Sequence, residues 1–271
     1  MARFILVLTF LVPGFCGYTQ EVKQFTSIHN AVADTSSFVV PDITTVQLKQ
    51  ILATGEALLL DTRPHEEWAS GHIPGALNVS SRPGVPMSLY TSDVHEILRL
   101  TGGDKNKALV LYCNGPYCDK SKRVSTDLIK EGFTNVVRYQ GGTPLWRTTG
   151  NVMELEKEGL IYFSNDKTAV WVDAREESIY RKETIQGAIN IPFSSLTGVK
   201  NTGMIKQTKD DGRLPMHDHN TRIVVIAANI QEAAAVAEAI TKEAFHNVSY
   251  FKGSFQEARD IMEGKMLRKK E

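Results

Sequence analysis

Leu109-Val110-Leu111-Tyr112-Cys113-Asn114-Gly115-Pro116-Tyr117-Cys118-Asp119-Lys120-Ser121 is the stretch that decides the fold. The apolar run reads as a buried strand ending at Cys113, and Asn114 to Cys118 read as a short loop. A helix follows, with Val124, Leu128 and Ile129 on one face and a stop at Gly132. Strand, tight loop and helix in this order form one step of a parallel α/β sheet. Ligands in such folds gather at the carboxyl ends of strands, where Cys113 stands. A thiol there faces loop N–H groups and a helix N-terminus, which favour a thiolate and attract anions. Cys113 is therefore the candidate nucleophile. Pro116 stiffens the loop and removes one donor from it.

Outward from this stretch, the chain repeats itself. Leu59-Leu60-Asp61-Thr62-Arg63 matches Trp171-Val172-Asp173-Ala174-Arg175, and Ile73-Pro74-Gly75-Ala76-Leu77-Asn78 matches Ile185-Gln186-Gly187-Ala188-Ile189-Asn190. Phe133-Thr134-Asn135-Val136 matches Phe245-His246-Asn247-Val248, and Gly141 matches Gly253. The offset is 112 in all four blocks (173 − 61, 187 − 75, 245 − 133, 253 − 141). A period this long marks two copies of a globular unit rather than a solenoid. In the first copy Leu58–Leu60, Ala108–Tyr112 and Val136–Tyr139 read as strands, and Thr44 with Gln47 as a capping box opening a helix. The expected layout is a signal segment 1–19, a linker 20–40, a first unit 41–150, a linker 151–166 and a second unit 167–265.

The second copy has no thiol. Arg222-Ile223-Val224-Val225-Ile226-Ala227-Ala228-Asn229-Ile230 occupies the matching strand and loop. With the strand ends aligned, Ala228 is expected where the first unit has its cysteine, followed by a loop about three residues shorter.

Lys plus Arg and Asp plus Glu each total 31 among 271 residues, so the formal charge is zero. That balance argues against a nucleic-acid binder. Arg3 precedes the apolar run Phe4 to Val12, which Pro13 and Gly14 break. The run is too short to span a bilayer and fits the core of a cleaved signal, so export to the periplasm is expected. Cys16 sits poorly as a lipid-attachment cysteine because Phe15 precedes it. No other segment has membrane-spanning length. Outside the signal only Cys113 and Cys118 remain, five apart in one loop. They read as a working pair rather than a structural framework.

The motifs resemble those of the rhodanese family. Leu60 to Trp68 with Gly71 to Val79 resembles the family's first signature. The strand-Cys113-loop-helix resembles its active-site segment, and Gly141-Gly142 with Trp146 its Gly-Gly…Trp segment. The second unit shares the first signature through Asp173, Arg175, Gly187, Ala188 and Asn190. The resemblance implies an α/β protein of two rhodanese-like domains, each a parallel-stranded sheet flanked by helices, with only the first catalytic. It also implies sulfur transfer. Cys113 takes the outer sulfur of a small anionic donor such as thiosulfate, and its persulfide passes to a thiol or cyanide acceptor. No cofactor and no metal are implied.

Asn114, Gly115, Pro116, Tyr117, Cys118, Asp119, Lys120 and Ser121 form the expected active-site loop and helix start, with Tyr117 placed to line the pocket. Cys118 is a candidate resolving thiol that attacks the persulfide, releases sulfide and leaves a disulfide. A thiol–disulfide protein, or a sulfur carrier whose second unit docks a protein partner, is the alternative. A phosphatase reading fails on charge, because Asp119 stands six positions past Cys113 where an oxyanion cradle needs arginine. Asp61 and Arg63 read as a bracing pair, since buried charges need partners. Their twins Asp173 and Arg175 persist where no thiol does. His72, replaced by Thr184 in the second copy, is the weaker candidate for a base. Lys120, Lys122, Arg123 and Arg82 are cations near the loop. His217-Asp218-His219 reads as a polar loop rather than a zinc site, which wants four organised ligands.

Overall fold

The computed structural model describes residues 40–86, 88–164, 166–196 and 203–264. The expected signal segment, Cys16 and all but the last residue of the first linker lie outside the described residues. The first unit runs α1 (Thr45–Thr54), β1 (Leu58–Asp61), α2 (His65–Ala69), β2 (Leu77–Asn78), α3 (Asp93–Leu100), β3 (Leu109–Tyr112), α4 (Asp119–Lys130), β4 (Val136–Tyr139) and α5 (Gly142–Thr148). Its sheet has the order β2-β1-β3-β4, and every pair is parallel. Helices cover both faces, as a parallel sheet requires. Alternate residues of β3 accordingly enter opposite cores. Leu109 and Leu111 pack with Leu60, Val124 and Leu128, whereas Val110 and Tyr112 pack with Leu48, Leu59 and Trp146. The Thr44–Gln47 capping box opens α1 as the sequence predicts.

The second unit runs β5 (Met153–Leu155), α6 (Lys157–Phe163), β6 (Val170–Asp173), α7 (Glu177–Tyr180), β7 (Ile189–Asn190), α8 (Gly203–Asp210), β8 (Ile223–Ile226), α9 (Ile230–Thr241), β9 (Val248–Phe251) and α10 (Phe255–Met262). A single 3-10 turn at Phe193–Ser195 precedes α8. The sheet order is β5-β9-β8-β6-β7, again with every pair parallel.

The stretch 151–166 is not a linker. Glu154 pairs with Tyr250 in parallel at the edge of the second sheet. Asp42 makes the corresponding parallel bridge to Arg138 in the first. Both positions are 112 apart (154 − 42, 250 − 138), so the repeat begins earlier than its sequence blocks show. The helix α6 likewise takes the place of α1 (157 − 45). Strand pairing explains the correction: the edges of β4 and β9 carry open backbone groups, and the segment before each first helix satisfies them.

The units meet along this same segment. His72 and Glu154 exchange backbone hydrogen bonds of 3.0 and 2.8 Å, and Glu156 N–H donates to Ala69 O at 3.0 Å. At Gly159 a Cβ would lie 2.0 Å from Ala69 O, so only glycine lets α6 approach this turn. His72 is buried, stacked on Trp68, with Nε2 3.2 Å from Glu154 and 3.7 Å from Glu156. Lys252 reaches both glutamates, at 2.8 and 3.1 Å, and Tyr250 donates to Glu154 at 2.9 Å. These groups gather three potential metal ligands, His72, Glu154 and Glu156. The Lys252 ammonium already supplies a cation to both carboxylates.

Burial pushes the Glu154 carboxyl up, but hydrogen bonds from His72, Lys252 and Tyr250 outweigh it and hold the group at about 2. A carboxyl depressed from 4.5 to about 2 stabilises the fold fully above 4.5, and that contribution is lost as pH falls towards 2. Glu154→Gln should cost about 2 kcal/mol at neutral pH, the scale of a charged hydrogen bond lost in a buried site. In urea melts the gap between wild type and variant should close as the pH falls through this window. A gap that stays constant with pH would contradict the assignment.

Candidate active site

The carboxyl end of the first sheet is built on a buried ion pair. Arg63 Nε donates to Asp61 at 3.0 Å and Nη2 donates to the same carboxylate at 2.6 Å, while Nη2 also donates to Gly71 O at 2.7 Å. Asn78 Nδ2 donates to the carbonyls of Asp61 and Arg63 at 3.2 and 2.9 Å. The second unit repeats the whole arrangement. Arg175 bonds Asp173 at 2.7 Å and Glu183 O at 2.6 Å, and Asn190 bridges the carbonyls of Asp173 and Arg175 at 2.9 and 2.8 Å. Geometry kept in a unit without a thiol is architecture. Asn78 is buried, and it is its Nδ2 that these two carbonyls hold.

Cys113 follows β3 directly and is 3% exposed. Its carbonyl accepts from Thr143 N–H at 3.2 Å. Gly115 holds φ +101° and Gly142 φ +55°. A Cβ on Gly142 would come within 2.2 Å of Cys113 O and 2.5 Å of Gly115 N. The Gly-Gly segment therefore lies flat against the cysteine loop, which any side chain would push away. Tyr117 at the loop tip is 95% exposed and does not line the cleft, contrary to expectation. Pro116 before it and the Cys118 N–H bond to Gly115 O at 3.0 Å close the turn outward.

Cys118 is the N-cap of α4 and makes no side-chain cap hydrogen bond. It is joined to Cys113 in a disulfide with the two Cα atoms 6.2 Å apart. The matching helix α9 is closed by Asn229, whose Oδ1 accepts from Glu232 N–H at 3.0 Å. The two copies thus differ where chemistry would occur. The thiol-free copy satisfies its helix N-terminus internally. The N-cap of the first copy's helix makes no such bond.

Strand register corrects the expected counterpart of the cysteine. Asp61 pairs with Tyr112, and Asp173 pairs with Ile226. Cys113 therefore corresponds to Ala227, not Ala228, and the local offset is 114 (226 − 112). Two extra residues before β8 shift the frame. Five residues separate Cys113 from α4, and only Ala228 and Asn229 separate Ala227 from α9.

Beside the loop lies a cleft of about 240 Å3 that both units line. The first unit contributes Arg63, Glu67, Asn114, Thr143 and Arg147, and the second Arg222, Asn247 and Ser249. Asn114 Nδ2 donates to Glu67 at 2.5 Å across its wall. Of the other expected residues, His72 is turned into the contact between units. Lys120 is held by Ser80 at 2.5 Å and Asp93 at 3.3 Å, away from the cleft lining. Asp119, Arg123 and Arg82 are exposed, and Ser121 is buried on the inner face of α4. In the loop 217–219, Asp218 caps Asn220 N–H at 2.8 Å and His219 stacks on Phe245. The sequence reading missed Arg147, Arg222 and Asn247. Only the adjacency of Arg147 to Trp146 in the Gly-Gly…Trp segment could have drawn notice.

Two tandem parallel α/β units, one with a cysteine at its central strand end, define the class of protein. The rhodanese-like domain model matches residues 44–149 and again 160–260, so the chain belongs to the rhodanese family as a tandem member. It is 33% identical over 123 residues to the HTH-type transcriptional regulator Rv0324 of Mycobacterium tuberculosis, covering 44% of this chain and 47% of that protein. It is 26% identical over 187 residues to the tRNA uridine(34) hydroxylase of Aster yellows witches'-broom phytoplasma, covering 69% and 54%. The chain spans about half the length of these curated relatives. Similar solved structures include SseA of Escherichia coli, described as a 3-mercaptopyruvate sulfotransferase. It has 19% identity and a TM-score of 0.34, with 80% of this chain and 99% of that one covered. A thiosulfate sulfurtransferase from Pseudomonas aeruginosa has 18% identity and a TM-score of 0.35, with 79% and 43% covered.

Gly142→Ala tests how the loop is held. The added methyl meets backbone at φ +55°, and such overpacking with strain costs about 2–4 kcal/mol. Thermal melting should show that loss, whereas Gly150→Ala, where a Cβ meets nothing within 4 Å, should show a smaller one. Equal losses would mean that the Gly-Gly segment does not brace the loop.

Proposed function

We propose that this protein is a sulfurtransferase in which the Cys113 thiolate attacks the outer sulfur of an anionic donor of the thiosulfate type. The new bond joins Cys113 Sγ to that sulfur. The donor's sulfur–sulfur bond breaks, and for thiosulfate its electron pair leaves with sulfite. The persulfide then passes its outer sulfur to a thiol or another thiophilic acceptor. The observation that carries this reading is the contrast between the two helix N-termini. The N-cap Asn229 closes α9, and Cys118 leaves α4 without a side-chain cap beside Cys113. Uncapped N–H groups and the positive end of a 12-residue helix favour a thiolate, and equally a persulfide of the same charge. The enzyme must be in its dithiol form to begin, since a disulfide-bonded Cys113 has no nucleophile.

The Cys113–Cys118 disulfide favours a second reading for the end of the cycle. The Cys118 thiolate attacks Cys113 Sγ, the persulfide bond breaks, and the outer sulfur leaves as hydrosulfide. Two cysteine sulfurs are oxidised to the disulfide as the sulfane sulfur is reduced to sulfide. An external dithiol then restores the pair. Export, proposed from the apolar run 4–12, is compatible with such a disulfide.

Reduced protein, freed of reductant and mixed with thiosulfate, is to be followed by intact mass and sulfide release. Cys118→Ser should gain the mass of one sulfur atom and hold it, and Cys113→Ser should gain none. Wild type should release up to one equivalent of sulfide and lose two hydrogens. Absence of any Cys113-dependent adduct with thiosulfate, mercaptopyruvate or polysulfide would overturn the sulfurtransferase reading. Equal sulfide release by wild type and Cys118→Ser would overturn the resolving role.

A further inference from the structure

The turn after α2 in the first unit is an interface, and the second unit carries a copy of it. His72 exchanges backbone hydrogen bonds with Glu154 at 3.0 and 2.8 Å, an antiparallel bridge to the outer edge of β5. The residue before, Met153, is buried and packs in one cluster with Leu52, Ala57, Leu59 and Ile73. The repeat carries these four positions and His72 onto Ser164, Ala169, Trp171, Ile185 and Thr184, each at the offset of 112 (164 − 52, 169 − 57, 171 − 59, 185 − 73, 184 − 72). All five line one groove of about 880 Å3 on the second unit. The Thr184 hydroxyl donates to Asp173 at 2.9 Å. Its backbone N–H and C=O correspond to the pair that His72 gives to Glu154, and they make no hydrogen bond among the described residues. An open N–H and C=O beside an apolar floor is where an extended chain can add, with main-chain bonds for affinity and a side-chain pocket for specificity.

We infer that this groove is a docking site for an extended segment of a partner protein. The segment pairs antiparallel with Thr184 as Glu154 does with His72. The apolar side chain before its pairing residue rests on Trp171 and Ile185, in the role that Met153 plays in the first unit. Charges of both signs stand on the rim, Lys167 and Arg259 with Asp166 and Glu263, so the flanking residues need carry no net charge. A second copy of this chain is a poor occupant. Its β5 is already bound to its own His72, and the first-unit counterpart of Gly159 is Gln47 (159 − 47). In the existing interface a Cβ at Gly159 would come within 2.0 Å of Ala69 O, so a side chain at that position keeps α1 out. The groove is thus the copy of an interface whose cover, among the described residues, occurs once in the chain. The docking needs no sulfur chemistry and stands whether or not Cys113 forms a persulfide.

Hydrogen exchange and peptide binding test this on the full chain. In the free protein the Thr184 amide should exchange about tenfold or more faster than the His72 amide. Peptides selected from a displayed random library on the immobilised protein should share one apolar residue, bind saturably and slow the Thr184 amide. Ala169→Trp, which places bulk at the groove wall, should melt as wild type and weaken that binding by about tenfold or more. N-methylation of the peptide residue after the apolar one should cause the same loss, because it removes a backbone donor, and this comparison needs no variant of the protein. A Thr184 amide already as slow as that of His72 would mean that the groove is filled within the chain, and would overturn the inference. A library without binders would overturn it too, as would binders that Ala169→Trp and N-methylation leave unchanged.

Discussion

Asp61 and Arg63 are both shut away from water, and neither could stay charged there alone. Their bidentate bond fixes the carboxyl end of β1, and the second reach of Arg63 to Gly71 O pins the turn that leads to β2. Asn78 then ties β2 back to the same two carbonyls. The sheet is parallel, so this end is all loop, and the pair is the point to which those loops are hydrogen-bonded. Arg63 also enters the wall of the cleft. One residue thus connects the architecture of the strand end with the electrostatics of the site.

The same knot in the second unit shows how little of it is chemistry. With identical bracing, that unit has a buried alanine at the cysteine position, a loop three residues shorter and a helix closed by its own asparagine. The differences between the two copies are therefore local: a thiol, a longer loop and a helix without a side-chain cap. The glycine at 142 adds a fourth, since its missing side chain admits the loop against α5. The contact between units depends on a different economy of charge. Buried His72, Glu154 and Tyr250 form one network with half-buried Glu156 and the exposed Lys252, and this network joins the start of the second unit to the first signature.

Much of this was legible in the residues. Four-residue apolar strands in both units, the capping box at Thr44, and the cysteine loop all follow from local pattern. The repeat was legible too, but not its beginning. β5 has three residues, and α6 has seven, a glycine and no side-chain cap, so neither leaves a period to read. The frame at β8 was misread by one residue because the strand runs on into Ala227-Ala228 without an apolar boundary. The knot at Asp61 could be named as a pair because its twin survives without a thiol. The arginine cleft could not be read at all. Arg147, Arg222 and Asn247 are far apart in sequence, and only the packing of two units brings them to one wall.

The central claim is that the end of β3 and the open N-terminus of α4 make Cys113 a thiolate at neutral pH. The pH dependence of Cys113 alkylation in Cys118→Ser measures this directly. An inflection below about 7 is the predicted result, in the range of thiols at helix N-termini. An inflection at or above about 8.5, the value of a free cysteine, would contradict the account.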